Sequence, residues 1–491
     1  MNRLFITLFV IGFASATMAQ APIENYEYTF KITGVPDSLD SAAFLANYYG
    51  SKQYYFDTVA FEPGGVLKFS GEKIKGGIYS VILWDRSSYF EFVVNENDLN
   101  METKFGDFVG SMKIKSESEE NTKFYEYLGF IEGKSKTIMN LRKKLEKASE
   151  EEKEAVQEEM HQLDLEVVDY KKKFMVANPD LFITKVFSAS AEPDIPDFKE
   201  ISDEAERKRK RYRAFKNHYL DGVDFTDERL LRTPVLHNKY KYYMNKLVPQ
   251  IPDSVIKEAD MMIALAEGNK EVYKYLVHTI TSKFEDSKVM GMDAVLVHMG
   301  QKYYCGDEDA WWLDDKKKEK FCDRITAMAP LQIGKTAPNL ILLDTTEAKW
   351  HNLHHLPSKF TVLYFWDSSC GHCKKVTPKL KEFYATYKEK GVEVFAIGTE
   401  FENKEWKKYV KKNELPWINV SDSPEANENA QELMLKGTTT AQSLNFRDTY
   451  DIFSTPKIYL LDENKKIIAV KLMPEQMGDF IDHLLEEEAE G

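Results

Sequence analysis

The residues best suited to chemistry in this chain are two cysteines three positions apart, in the run Trp366-Asp367-Ser368-Ser369-Cys370-Gly371-His372-Cys373. A thiol is a weak nucleophile until it ionises. A CxxC at a helix N-terminus sets its first sulfur over unsatisfied backbone N–H groups and the positive end of the dipole, which favours thiolate. On that logic Cys370 attacks, and Cys373, one turn inside the helix, resolves the mixed disulfide, so that the pair cycles two electrons. His372 adds an imidazole whose charged form favours the thiolate further. The competing chemistry is half of a zinc site, which needs two more ligands. The other two cysteines, Cys305 and Cys322, have sixteen residues between them and no CxxC of their own, so redox chemistry is the better reading.

Such a pair needs a strand to deliver it and a helix to activate it. Residues 361–366, Thr-Val-Leu-Tyr-Phe-Trp, form a continuous apolar run, as expected of a strand buried on both faces. Residues 374–390 have helical spacing, Gly391 marks the helix end, and 392–397 repeat the buried-strand pattern. This is a β-α-β unit with the CxxC at its strand-to-helix junction, hence parallel strands joined by a right-handed crossover. Further on, the pattern predicts helices at 403–412 and 425–435, strands at 417–420, 456–461 and 466–472, and a last helix from Pro474.

With those residues in place, the region 331–491 resembles the thioredoxin-fold proteins, and within them the exported TlpA/ResA-type thiol-disulfide oxidoreductases. The resemblance rests on Ile333-Gly334-Lys335-Thr336-Ala337-Pro338, Trp366 four residues before Cys370, the Cys370-Gly371-His372-Cys373 centre, Pro378, and Ser454-Thr455-Pro456. It implies a cis Thr455–Pro456 bond beside the active site, with Thr455 backbone groups aligning a substrate strand, and Trp366, Thr455 and Pro456 on the substrate side. It also implies protein thiols and disulfides as substrates, a membrane electron donor of unspecified identity, and no cofactor. Two positions depart from the family. The buried acid that thioredoxins place six residues before the first cysteine is Tyr364 here, and the acid that ResA-like enzymes place three residues after the second cysteine is Val376. Glu400, at the end of the second strand, is the substitute candidate for taking the Cys373 proton; its alternative role is a charge at the N-terminus of the helix that follows. The Gly-His dipeptide resembles that of the disulfide isomerases, so reductant, isomerase and oxidant stay open.

The rest of the chain sets the context. Arg3, the apolar run 4–13 and the small residues Thr17 and Ala19 read as a secretory signal (1–19) cleaved after Ala19, which places the protein in the periplasm or otherwise outside the cytoplasm. No later run of 18 apolar residues occurs, so the mature chain is expected to lack a membrane span. A net charge of −14 argues against a nucleic-acid binder. Short aromatic and β-branched runs between Gly and Pro turns predict a β-sandwich at 20–117, and helical stripes predict a mostly α-helical domain at 118–329 that begins with a helical hairpin. The thioredoxin-like α/β domain then occupies 330–491. This layout resembles bacterial envelope thioredoxin-like proteins. His351, His354 and His355 read as part of a loop, with no metal site assigned. In an oxidising compartment Cys305 and Cys322 read as a structural disulfide; two free thiols or an internal redox partner for Cys370 are the alternatives. Because two-thirds of the chain lies outside the redox region, the rival function is an envelope binding or assembly protein with a secondary, regulatory thioredoxin-like module.

Overall fold

Strand β1 (Ile23–Thr33) alternates buried and exposed residues, with Tyr26, Tyr28, Phe30 and Ile32 turned inward, as period-two patterning requires of a half-buried strand. The computed structural model describes residues 21–490 except 40, 286 and 307–309, so the expected signal segment lies outside the described residues. The described chain divides into two compact units. One runs to Pro249 and takes in Asp260–Leu276; the other comprises Gln250–Ala259 and Val277 onward.

The first unit opens with two four-stranded sheets. Its strands are β1, β2 (Ala42–Tyr49), β3 (Lys52–Ala60), β4 (Val66–Ile74), β5 (Gly77–Leu83), β6 (Tyr89–Val94), β7 (Asp98–Lys104) and β8 (Lys113–Ile114). They are ordered β4-β1-β7-β8 and β3-β2-β5-β6. Tyr28, Phe30, Phe69, Tyr79 and Phe92 fill a shared core, with Phe30 and Phe92 ring centroids 4.9 Å apart. The aromatic residues thus mostly supply core. The helical hairpin is α1 (Glu119–Leu145) and α2 (Glu150–Ala177). Ser118 caps the first through the Asn121 N–H, and Ser149 with Glu152 forms a capping box on the second. Leu141, Val156 and Leu163 pack between them.

The second unit is built on a seven-stranded sheet. Its strands are β9 (Ile341–Asp344), β10 (Trp350–Asn352), β11 (Phe360–Trp366), β12 (Val392–Gly398), β13 (Ile418–Ser421), β14 (Lys457–Leu461) and β15 (Ile467–Val470), in the order β10-β9-β13-β12-β11-β14-β15. Strand β11 is buried along its whole length and central: parallel to β12 and antiparallel to β14. One face packs Tyr364, Trp366, Cys373, Leu380 and Trp406 into a core; the other packs Leu363, Phe365, Phe395, Phe446 and Tyr450. The helix after β11 spans Gly371–Tyr387, the next covers Asn403–Lys412, and the last covers Pro474–Glu490. Two segments differ from expectation. The single helix expected at 425–435 is two short ones, Pro424–Glu428 and Ala430–Leu435, interrupted at Asn429. Strands β9 and β10 are too short to show a period.

The same unit also contains the helices Asp293–Tyr303 and Asp315–Met328, so elements expected to close the middle region share a unit with the thioredoxin-like sheet. Cys305 and Cys322 are disulfide-bonded across the connection between these two helices. Among the described residues no helix is long and apolar enough to cross a membrane.

Candidate active site

Strand β11 ends at Trp366, and the chain turns through Asp367, Ser368 and Ser369 before the helix begins at Gly371. The Asp367 carboxylate holds that turn by accepting both the N–H and the hydroxyl of Ser369 at 2.6 Å. Cys370 is therefore the helix N-cap, and its sulfur accepts the Cys373 N–H at 3.4 Å. Its own thiol points at the Thr455 carbonyl, 3.3 Å away, across the cis Thr455–Pro456 bond. Cys370 is partly exposed, whereas Cys373 is fully buried.

This geometry separates the two thiols electrostatically. Burial pushes Cys370 up, but hydrogen bonds from the Cys373 N–H, the Thr455 side chain, Cys373 and the His372 N–H outweigh it and hold the thiol below its ordinary value. For Cys373 burial wins, and its thiol is pushed up to about 11 despite hydrogen bonds from the Asp367 backbone and Thr455. At neutral pH the arrangement favours one nucleophilic sulfur at the surface and one protonated sulfur behind it, which is what two-step exchange requires.

Glu400 reaches the same turn from the end of β12. Its Oε1 accepts the Ser368 N–H at 2.5 Å, while Oε2 is buried with no hydrogen-bond partner. The carboxyl of Asp367 faces it. Burial and then the Asp367 charge raise Glu400 against the bonds from Ser368, while Asp367, though opposed by burial, is held low by Ser369. Of the two carboxyl groups, Glu400 is pushed toward its neutral form and Asp367 is held toward its ionised form. The backbone of Asp367, on the same turn, hydrogen-bonds the Cys373 sulfur.

The remaining expected residues fall in three places. Thr455 and Pro456 border Cys370. His372 is exposed on the first helical turn, between the sulfurs in sequence and open to solvent. Trp366, expected on the substrate side, is 1% exposed, stacked with Tyr364 at 6.0 Å and edge-on to Tyr409 at 5.3 Å, so it supports the cysteine turn from within the core. Tyr364, at the position where the resemblance leads one to expect an acid, is also buried and bonds the Thr377 hydroxyl at 2.9 Å; burial raises its pKa. Tyr409 is a further neighbour of Cys373, raised by burial and by that thiol's charge. It sits on the helical stripe of Asn403–Lys412, 36 positions after Cys373, and only the fold brings the two together. Among the described residues no cluster of three or more His, Cys, Asp or Glu could hold a metal ion. His354 instead bonds the Ala337 carbonyl through Nε2 at 2.8 Å.

The Redoxin family matches residues 332–483, and a domain of unknown function, DUF5106, matches residues 142–329. The thiol-disulfide oxidoreductase ResA of a Bacillus cereus strain is 31% identical over 156 residues, covering 32% of this chain and 78% of that protein. The chain belongs to the ResA family of thiol-disulfide oxidoreductases. ResA of Halalkalibacterium halodurans is 29% identical over 171 residues, 34% of this chain and 84% of that one. A solved domain of a possible thiol-disulfide isomerase from Cytophaga hutchinsonii is 36% identical and covers 33% of this chain and 99% of its own, with a TM-score of 0.28. The Redoxin match falls on the second unit, on the domain that carries Cys370 and Cys373, and the ResA likeness makes the chain a thiol-disulfide oxidoreductase of thioredoxin-like fold. Against that family background, Asp367 and Glu400 bring carboxyl groups to a site where Tyr364 and Val376 supply none.

Proposed function

We propose that this protein is exported and reduces disulfides of other proteins through the Cys370/Cys373 dithiol. The observation that carries the reading is the Cys370 sulfur as N-cap of its own helix, with a lowered pKa, ahead of a buried Cys373 pushed up to about 11. The Cys370 thiolate attacks one sulfur of a substrate disulfide, forming the Cys370–substrate bond and releasing the other substrate sulfur as a thiolate that takes a proton. Cys373 then loses its proton and attacks the Cys370 sulfur, expelling the second substrate thiolate and leaving a Cys370–Cys373 disulfide. Two electrons have passed to the substrate, and a membrane dithiol donor returns them to the enzyme. Glu400, brought by burial nearer the range of a useful base, takes the Cys373 proton in its ionised form. Thr455 aligns the substrate backbone, and the charged form of His372 supports the Cys370 thiolate.

Export is supported by the residue pattern at 1–19 and by the Cys305–Cys322 disulfide, a bond that persists in oxidising compartments. The test compares wild type with Cys370→Ser for reduction of a protein disulfide supplied with a chemical dithiol; equal rates defeat the proposal. Direction is read from the reduction potential of the Cys370/Cys373 couple. A value near the ~−270 mV of thioredoxin supports a reductant, and one near the ~−120 mV of strong oxidants reverses it.

A further inference from the structure

Beside Cys370, the loop that contains Thr455 and Pro456 has a second face. Phe453, Ser454 and Pro456 form one wall of a cavity of about 400 Å³, within the size range of small-ligand pockets. The opposite wall comes from outside the thioredoxin-like sheet: Leu296 on the helix Asp293–Tyr303 and Met328 at the end of the helix Asp315–Met328. Leu472 and Met473, after β15, continue the apolar part of a lining that also includes Glu285, Asp451, Lys457 and Lys471. Phe453 stands at the lip and is 77% exposed, which is costly for a large apolar ring with nothing to cover it.

Two further features bear on what the cavity takes. Arg324 ties the helical wall to the loop: its guanidinium lies 5.1 Å from the Phe453 ring centre, and its Nε is 3.5 Å from Asp451 Oδ1. The loop that touches the reactive sulfur and the helix opposite it are therefore braced as one feature. Asp293 Oδ1 lines the cavity and is buried without a hydrogen-bond partner; its nearest cation, Lys471 Nζ, is 3.9 Å away. That ion pair leaves the buried acceptor without a hydrogen bond, and a backbone N–H of an extended chain supplies one.

We propose that this cavity is a specificity subsite, built jointly by the helices and the thioredoxin-like domain, that takes a large apolar side chain next to the disulfide cysteine of an extended polypeptide substrate. The inference rests on the oxidoreductase reading above and adds what that reading leaves open, namely which substrates are chosen. An extended segment laid along Thr455 with its cysteine at Cys370 sends alternate side chains to opposite faces, and one of them is directed past Pro456 into the cavity. The apolar lining then discriminates by size and hydrophobicity, while the exposed Phe453 closes over the inserted side chain.

The test uses the full-length protein and two disulfide-bridged peptides that differ only in Phe or Gly beside one cysteine, together with a small-molecule disulfide. Initial-rate kinetics should give wild type a Phe-over-Gly preference of about tenfold or more in kcat/KM, the scale set by burying one large apolar side chain. Met328→Trp, which fills the cavity from the helical side, and Phe453→Ala, which removes the exposed lip, should each collapse that ratio toward one. A ratio taken within one preparation is insensitive to the fraction folded, so a partly unfolded Met328→Trp still reports. Turnover of all three substrates with a wild-type ratio near one, or a ratio that both variants leave intact, overturns the subsite alone. No reduction of any of the three substrates overturns the oxidoreductase reading and the subsite with it.

Discussion

The sulfur of Cys370 accepts the backbone N–H of Cys373 at 3.4 Å, so the nucleophile and the helix cap are the same atom. Reactivity and local stability are therefore coupled at one residue, and substitutions can separate them. Serine keeps a capping oxygen and cannot exchange disulfides; alanine loses both. We expect Cys370→Ser to unfold within a few tenths of a kcal/mol of wild type, and Cys370→Ala to lose a further ~1 kcal/mol, with neither variant turning over. Urea unfolding of the three proteins under reducing conditions checks this, and a Cys370→Ala variant as stable as Cys370→Ser removes the cap from the account.

Alkylation should distinguish the two thiols. Cys370 is partly exposed and its pKa is lowered, so its thiolate persists above that lowered value and is lost as pH falls through it. Cys373 is fully buried and pushed up to about 11. Iodoacetamide should modify Cys370 alone at pH 7, with a rate midpoint below the ~8.5 of a free cysteine. Mass spectrometry across pH 5 to 9 supplies the profile. Equal labelling of both cysteines, or a Cys370 midpoint at or above ~8.5, contradicts the electrostatic separation.

How far these features can be read from the sequence depends on whether their causes are local. Strand β11 is legible because burial on both faces makes 361–366 uniformly apolar, and the helix at Asn403–Lys412 is legible because its apolar positions keep the helical period. Strand β2 is not, since Ala42-Ala43-Phe44-Leu45-Ala46 packs apolar residues on consecutive positions and shows no alternation. Cys370, Cys373, Thr455 and Pro456 carry a motif; Asp367 resembles a turn residue, and only the fold brings Glu400 beside it. Trp366 is conspicuous by position, and its burial follows from the packing of Tyr364 and Tyr409 around it, which no spacing encodes. The cavity is the least legible feature, because Leu296, Met328, Phe453 and Met473 meet only after the helices pack against the sheet.

The Cys305–Cys322 bridge closes a loop with a sequence separation of 17 and secures the helix that carries Arg324 and Met328. In the chain-entropy treatment a loop of that size is worth about 3 kcal/mol. The Cys305→Ser/Cys322→Ser double variant should therefore lose up to ~3 kcal/mol, and Tm should fall by roughly 2–4 °C for each kcal/mol lost. The reaction with a small disulfide should survive, because Cys370 and Cys373 are untouched. Scanning calorimetry with a parallel activity assay checks both parts. Loss of small-disulfide turnover in a still-folded double variant would instead make the second pair a redox relay.

The raised carboxyl of Glu400 beside Asp367 gives a pH dependence of defined sign. Folding raises the Glu400 pKa, chiefly by burial, so the fold favours its neutral form. That contribution is complete below the unfolded value of about 4.3 and is lost as pH rises through the folded value. Glu400→Gln is neutral at every pH, still accepts the Ser368 N–H, and offers an N–H to the Asp367 carboxylate. Its stability relative to wild type should therefore improve from pH 4.5 to pH 8. The same substitution removes the base assigned to Cys373, so resolution of the mixed disulfide should slow by about 10²-fold while alkylation of Cys370 is unaffected. Urea unfolding at the two pH values measures the first effect, and acid-quenched single turnovers with trapped mixed disulfide counted by mass spectrometry measure the second. A variant whose stability relative to wild type stays flat or falls with rising pH would contradict a raised Glu400. Unchanged resolution in a variant that does show the widening gap would leave Glu400 a positioning residue for the Ser368 turn and return the search for the Cys373 base to Tyr409 and solvent.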